Sequence, residues 1–351
     1  MAVEDEIHLR SNSEASDSAK PRLLVFMITG NPGLIEYYRV FLTHLYSILQ
    51  RKNKISWDLH VYGASLSGFE VSGHPPSKPL TLDGQIEVVS QKLYRIADRI
   101  NREDGAARLP VVLIGHSVGA YILLDTVSRW QKARRDAATP IDILCGVCLF
   151  PTVFDIAKSP TGRKVTPLLN LPFFALMVHL IARLAFFIVP VRVVTRLAQA
   201  FTRMPEKSAG VTAAFLKSPL GVRQALHMAK YEMRQMADAD RWSDDVWGTQ
   251  PAASPADGAQ RGQDAPKLFF YWGKDDHWVA NTTRDALIRA RAARTVPDET
   301  CIKHGSRERD TRPVMEIDRQ GLPHGFCVRD AHSKIVASVT AAYILLAVDR
   351  C

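Results

Sequence analysis

With 351 residues, 46% of them hydrophobic, the chain can bury one large core or two small ones. Five cysteines, odd in number and scattered, exclude a disulfide framework and point to a reducing compartment. The net charge of +9 is local: between Ile156 and Arg234 stand twelve Lys or Arg against two Glu. That stretch is greasy rather than polar, which favours an anionic lipid surface over nucleic acid.

The opening MAVEDEIHLRSNSEASDSAK (1–20) is acidic, then Ser-rich, and lacks an apolar core. It reads as a disordered tail, neither a secretory signal nor an Arg-rich transit peptide, consistent with the cytosolic face. LLVFMIT (23–29) is a β-rich run ending at Gly-Asn-Pro-Gly, and residues 37–51 have the pattern of an amphipathic helix. WDLHVYG (57–63) alternates as a strand. Ile86, Val89, Leu93, Ile96 and Ile100 recur at spacings of three and four, which predicts a helix over 82–100. LPVVLIG (109–115) predicts a buried strand, AYILLDTVSRW (120–130) a helix, and IDILCGVCLF (141–150) another strand. Cys145 and Cys148 form a C-x-x-C inside that strand. They read as small apolar strand residues, because a zinc site needs a second ligand pair and none is visible.

Three segments interrupt the rhythm. Residues 151–248 predict a mainly helical insertion, TQPAASPADGAQRGQDA (249–265) a flexible linker, and the charged stretch near 303–320 a surface insertion. Beyond the linker come the strand KLFFYWG (267–273), a helix near 281–294 and a last helix from about 331 to 348. Alternating β and α with apolar strands means an α/β domain over 21–351, its mostly parallel sheet covered by helices on both faces.

GHSVG (115–119) directly follows a predicted strand and directly opens a predicted helix. A bare G-x-S-x-G marks an ordinary turn as readily as a nucleophile; the strand–elbow–helix setting selects the nucleophile, Ser117. A serine needs a base and the base an orienter, in the chain order Ser, acid, His. FFYWGKDDHWVA places Asp275 and Asp276 just past a strand end, and the G-x-x-D spacing from Gly273 selects Asp276. Asp275 remains an alternative, otherwise a solvated turn carboxylate. Of the histidines that follow, His277 is too close to the acid in sequence, His304 lies in the charged insertion and His332 in the last helix. His324, on the QGLPHGF loop, is the candidate base. Oxyanion donors are expected from the backbone N–H groups of Asn31 and Val118, since Pro32 has no N–H to give.

GNPG with YYRVF (30–41), LDGQI (82–86), LIGHSVGAYI (113–122), YWGKDDHWV (271–279) and LPHGF (322–326) together resemble the lipid droplet-associated hydrolase family, a branch of the α/β-hydrolases. The resemblance covers most of 23–152 and 267–348, and is faint in the helical insertion. It implies the same nucleophile, acid and base. It also implies a serine ester hydrolase on the cytosolic side of lipid droplets and endoplasmic reticulum, acting on neutral lipid such as sterol esters. Thr29 stands where the family usually has proline. The linker and the 303–320 insertion are extra, which leaves the substrate pocket open.

LPFFALMVHLIARLAFFIV (171–189) is nearly all apolar but contains His179 and Arg183 and is bounded by Pro172 and Pro190. Nineteen helical residues barely reach across a ~30 Å hydrocarbon core. The segment is therefore either a buried cap over the site or a membrane-inserted cap, with Phe173, Phe174, Phe186 and Phe187 as candidate lipid contacts. Arg192, Arg196 and Arg203 fall on one side of a following amphipathic helix, suited to anionic headgroups. The expected reaction is acyl-ester hydrolysis through an acyl-enzyme on Ser117, requiring no metal or organic cofactor, with acylglycerol an alternative substrate to sterol ester. An acyltransferase or thioesterase would use the same triad. A non-catalytic droplet scaffold would leave the triad without a role. Oligomeric state is not legible.

Overall fold

Arg22–Ile28 alternates its side chains between two cores. Leu24, Phe26 and Ile28 enter one, Leu23, Val25 and Met27 the other. A strand buried on both faces is the signature of a sheet covered by helices on each side. In the computed structural model, residues 3–10, 20–52, 57–72, 75–102, 108–135, 139–237, 241–249, 265–293 and 311–348 are described.

Among these, seven strands form one sheet: β1 (Glu6–Arg10), β2 (Arg22–Ile28), β3 (Asp58–Ala64), β4 (Leu109–His116), β5 (Ile141–Leu149), β6 (Lys267–Trp272) and β7 (Val314–Ile317). The order is β1-β3-β2-β4-β5-β6-β7, and every pair is parallel except β1 with β3. Helices α1 (Arg39–Arg51) and α11 (Asp330–Val348) cover one face; α2 (Leu82–Arg102), α3 (Val118–Arg135) and α10 (Asn281–Arg291) cover the other. By length and composition α11 could cross a membrane, but half of it is buried against the core, on α1 and β5.

Two expectations are corrected at the sheet's edges. Glu6–Arg10, within the segment read as a disordered tail, pairs antiparallel with β3, and Ile7 is buried. Its five residues, charged at both ends, leave too short a period for sequence to register; the ladder with β3 supplies the support. Residues 11–19 lie outside the described residues. Likewise the charged stretch near 303–320 contains β7, which closes the opposite edge on β6. It is four residues long with only Val314 buried, too short a run to show a strand's period among charged neighbours. Of the expected linker, 250–264 lie outside the described residues.

Between β5 and β6 the chain builds α4 (Pro160–Asn170), α5 (Phe174–Phe186), α6 (Val191–Thr202), α7 (Glu206–Lys217), α8 (Gly221–Gln235) and the short α9 (Asp244–Trp247). Pro160 opens α4, and Ser159 caps it, its Oγ accepting from the Gly162 N–H at 2.9 Å. The apolar run 171–189 holds α5, which meets α4 at 92° at the start of the run. The Lys217 ammonium donates to the carbonyls of Phe186 and Val189, fixing the α5–α6 turn by satisfying orphan acceptors at a helix end.

This cap leaves an apolar outer face. Phe173, Leu184, Phe187, Ile188 and Phe201 are each more than 70% exposed. Phe174 and Phe186, expected at the same surface, are half-buried instead, and Phe174 packs on the core. Successive side chains on a helix diverge by about 100°, so Phe174 and Phe186 turn inward while their neighbours Phe173 and Phe187 face out. Arg192, Arg196 and Arg203 are exposed, though Arg203 follows α6 in a left-handed conformation rather than lying on it.

Candidate active site

The loops at the C-terminal ends of β2, β4 and β6, together with the loop after β7, converge at the middle of the sheet. Ser117 stands between β4 and α3 with φ +54°, a left-handed backbone that a non-glycine residue holds only when its surroundings enforce it. The surroundings are tight. A Cβ on Gly115 would strike the Gly119 carbonyl, and one on Gly119 would strike the carbonyls of Ile28 and Thr29 at the end of β2. Ser117 N–H donates to Leu149 O at 3.0 Å, stitching the elbow to β5.

Asp276 Oδ2 accepts from His324 Nδ1 at 2.6 Å, and His324 Nε2 lies 2.9 Å from Ser117 Oγ. These residues come from three loops, 207 and 48 positions apart in sequence. The bond at Nδ1 leaves Nε2 to face the serine, the arrangement a general base needs. Burial works to raise the Asp276 pKa, but the hydrogen bond and charge of His324 and the Trp278 N–H together outweigh it, so the net shift is downward. Trp278 N–H donates to Asp276 Oδ1 at 2.8 Å, occupying the other carboxylate oxygen. Asp275 is exposed. His277 is also exposed, its ring 6.0 Å from that of His324, and His332 lies in α11. His304 lies outside the described residues.

Asn31 sits on the loop after β2, and Val118 opens α3 directly behind Ser117. A Cβ on Gly30 would lie 3.1 Å from Ser117 Cβ, so this loop presses directly on the elbow. The Asn31 side chain reaches into the cap: its amide donates to Ala225 O at 3.0 Å and to Glu232 Oε1 at 2.8 Å, both on α8. Burial pushes the Glu232 pKa up to about 7, against the lowering bond from Asn31. Cys145 and Cys148 fall into opposite cores and cannot share a ligand. A cleft of about 330 Å³ between α1, α7 and the start of α11 is lined by none of Ser117, Asp276 and His324.

Sequence reasoning missed the braces. Arg284, buried on α10, donates to the carbonyls of Gly273 and Lys274 at 2.9 and 2.7 Å and holds the acid turn. Asp318 accepts from Tyr271 Oη at 2.8 Å and from Leu322 N–H at 2.6 Å, shaping the loop to His324. A lone Asp before a Gly-Pro turn was the only available signal for Asp318. Glu232 had none, because its partner is 201 residues away.

A match to the lipid-droplet associated hydrolase family runs over residues 21–327, nearly the whole sheet and the entire cap. The chain belongs to this family. The chicken lipid droplet-associated hydrolase is 29% identical over 327 residues, covering 91% of this chain and 84% of its own. The mouse protein is 26% identical, covering 76% and 73%. Among solved structures, a peroxisomal α/β-hydrolase of Saccharomyces cerevisiae superposes with a TM-score of 0.56 at 12% identity, covering 97% of this chain and 82% of that one. A soluble variant of monoglyceride lipase from the same organism gives 0.51, also at 12%, covering 97% and 91%. At such identities the likeness is one of fold, and the fold is that of the α/β-hydrolases.

Proposed function

We propose that this member of the lipid-droplet associated hydrolase family is a serine ester hydrolase acting on neutral lipid esters, sterol esters or acylglycerols, at the droplet surface. The observation that carries the reading is the continuous chain Ser117–His324–Asp276, at 2.9 and 2.6 Å, on a left-handed elbow. Ser117 Oγ attacks the ester carbonyl while His324 Nε2 takes its proton. Asp276 keeps the imidazole oriented and stabilises its charge. The backbone N–H groups of Asn31 and Val118 receive the oxyanion. His324 returns the proton to the leaving alcohol, then activates the water that opens the acyl-enzyme.

The exposed apolar face of α5 and the α5–α6 turn supports docking on lipid, with Arg192, Arg196 and Arg203 beside it for anionic headgroups on the endoplasmic reticulum bilayer. Ser117 is only 9% exposed, so a bulky ester reaches it by displacing part of the cap, and lipid contact at α5 supplies a reason for the cap to move. The names of the relatives agree with a droplet location. The test is release of acid from emulsified sterol ester and triacylglycerol by wild type and Ser117→Ala. Release by wild type alone supports the reading; equal release by both places the chemistry elsewhere.

A further inference from the structure

Beneath the triad runs a second buried chain of polar groups that the reaction does not use. Gly30 N–H donates to Tyr38 Oη at 3.0 Å, Tyr38 Oη lies 2.7 Å from His116 Nδ1, and His116 Nε2 lies 2.9 Å from the backbone carbonyl of His324. Both side chains are almost fully buried. The two ends fix the direction of every bond. A carbonyl only accepts, so His116 Nε2 carries the proton. Burial, then the neighbouring His324, hold the His116 pKa down at about 3, so the ring is neutral and Nδ1 accepts. Tyr38, whose pKa burial raises well above the usual phenol value, therefore donates to it and accepts from Gly30.

The endpoints are not arbitrary. Gly30 precedes Asn31, whose N–H is assigned to the oxyanion. His116 precedes Ser117. The third contact is the backbone of His324 itself. We infer that Tyr38 and His116 are positioning residues, a buried link that sets the nucleophile, the base and the oxyanion loop relative to one another. This rests on the reading of Ser117 as nucleophile. The aromatic rings around the link leave it little freedom: Phe326 lies edge-on to His116 at 5.0 Å and stacks on Phe150 at 5.5 Å. A link whose three bonds run in one direction, enclosed in rings, holds the three segments in place, and small misplacements at a reacting centre are costly.

The test compares Tyr38→Phe, His116→Leu, His116→Gln and the double variant Tyr38→Phe/His116→Leu with wild type. Each is titrated with a fluorophosphonate to count competent sites, and kcat per titrated site and KM are measured on a soluble p-nitrophenyl ester. The expected result for Tyr38→Phe and His116→Leu is full titre, KM within roughly twofold and kcat per site lowered about ten- to hundredfold. The double variant is no worse than the worse single, because either change breaks the same link. His116→Gln, whose amide can still donate to the His324 carbonyl, recovers part of the loss. Unchanged kcat per site would overturn the inference. So would a loss explained by reduced titre, or a double variant whose loss equals the product of the singles. If Tyr38→Phe does not fold, the two His116 variants carry the same comparison. Absence of labelling in wild type would instead refute the reading of Ser117.

Discussion

Asp275 and Asp276 are neighbours with opposite environments. The first is exposed, and the second is buried with both carboxylate oxygens engaged. Asp276→Asn removes the anion that orients His324 and is expected to lower kcat by about 10⁴, whereas Asp275→Asn leaves it within a few-fold. Steady-state rates on a soluble ester rank the two, and the reverse order would contradict the assignment. The triad was legible in the sequence because each member sits where local chain chemistry demands special residues. Glycines flank Ser117, a glycine turn precedes Asp276, and a Gly-Pro loop carries His324. Tyr38, His116, Glu232 and Arg284 were not legible as participants. Their roles are contacts made across the fold, and a tyrosine or buried histidine with a distant partner has the same sequence signature as one that merely packs.

At the scale of elements, the period-2 and period-3.6 patterns located β2 to β6 and the helices of both layers, because core burial writes itself into sequence. The edge strands β1 and β7 escaped, since an edge buries one side of a short run and leaves little pattern. The cap's apolar character was legible in its composition, but the outward residues depend on the bend between α4 and α5, which composition does not encode. On the observed face, Phe187→Asp with Ile188→Asp is expected to release the protein from droplets, because it removes apolar contact valued at roughly 25 cal/mol per Å² and places charge at the interface. Reversing Arg192, Arg196 and Arg203 to Glu should mainly weaken binding to anionic vesicles at low salt, each cation contributing about 1 kcal/mol near such a surface. Flotation with droplets and vesicles at two ionic strengths checks both, and unchanged flotation of the Phe187/Ile188 variant would mean that this turn is not the docking face.

At the scale of the molecule, the cap and the sheet domain are joined at the loop after β2, through Asn31 and α8. Glu232 makes that junction sensitive to pH. Its folded pKa of about 7 exceeds the ordinary carboxyl value of 4.5, so between those values the native state holds a proton that the unfolded chain has lost. Stability from this group therefore falls as pH rises through that window and levels off above it. Glu232→Gln keeps an acceptor for Asn31 and removes the titration. The variant should gain Tm relative to wild type on going from pH 5 to pH 8, as followed by thermal unfolding. An equal difference at both pH values would contradict the raised pKa.

The most direct test of Ser117 as an activated nucleophile is the mass of the protein after reaction with a fluorophosphonate, with the adduct located by peptide mapping. One phosphonyl group per chain is expected, on Ser117, and none on Ser117→Ala. An unmodified wild-type chain, or an adduct on another residue that persists in Ser117→Ala, would contradict it.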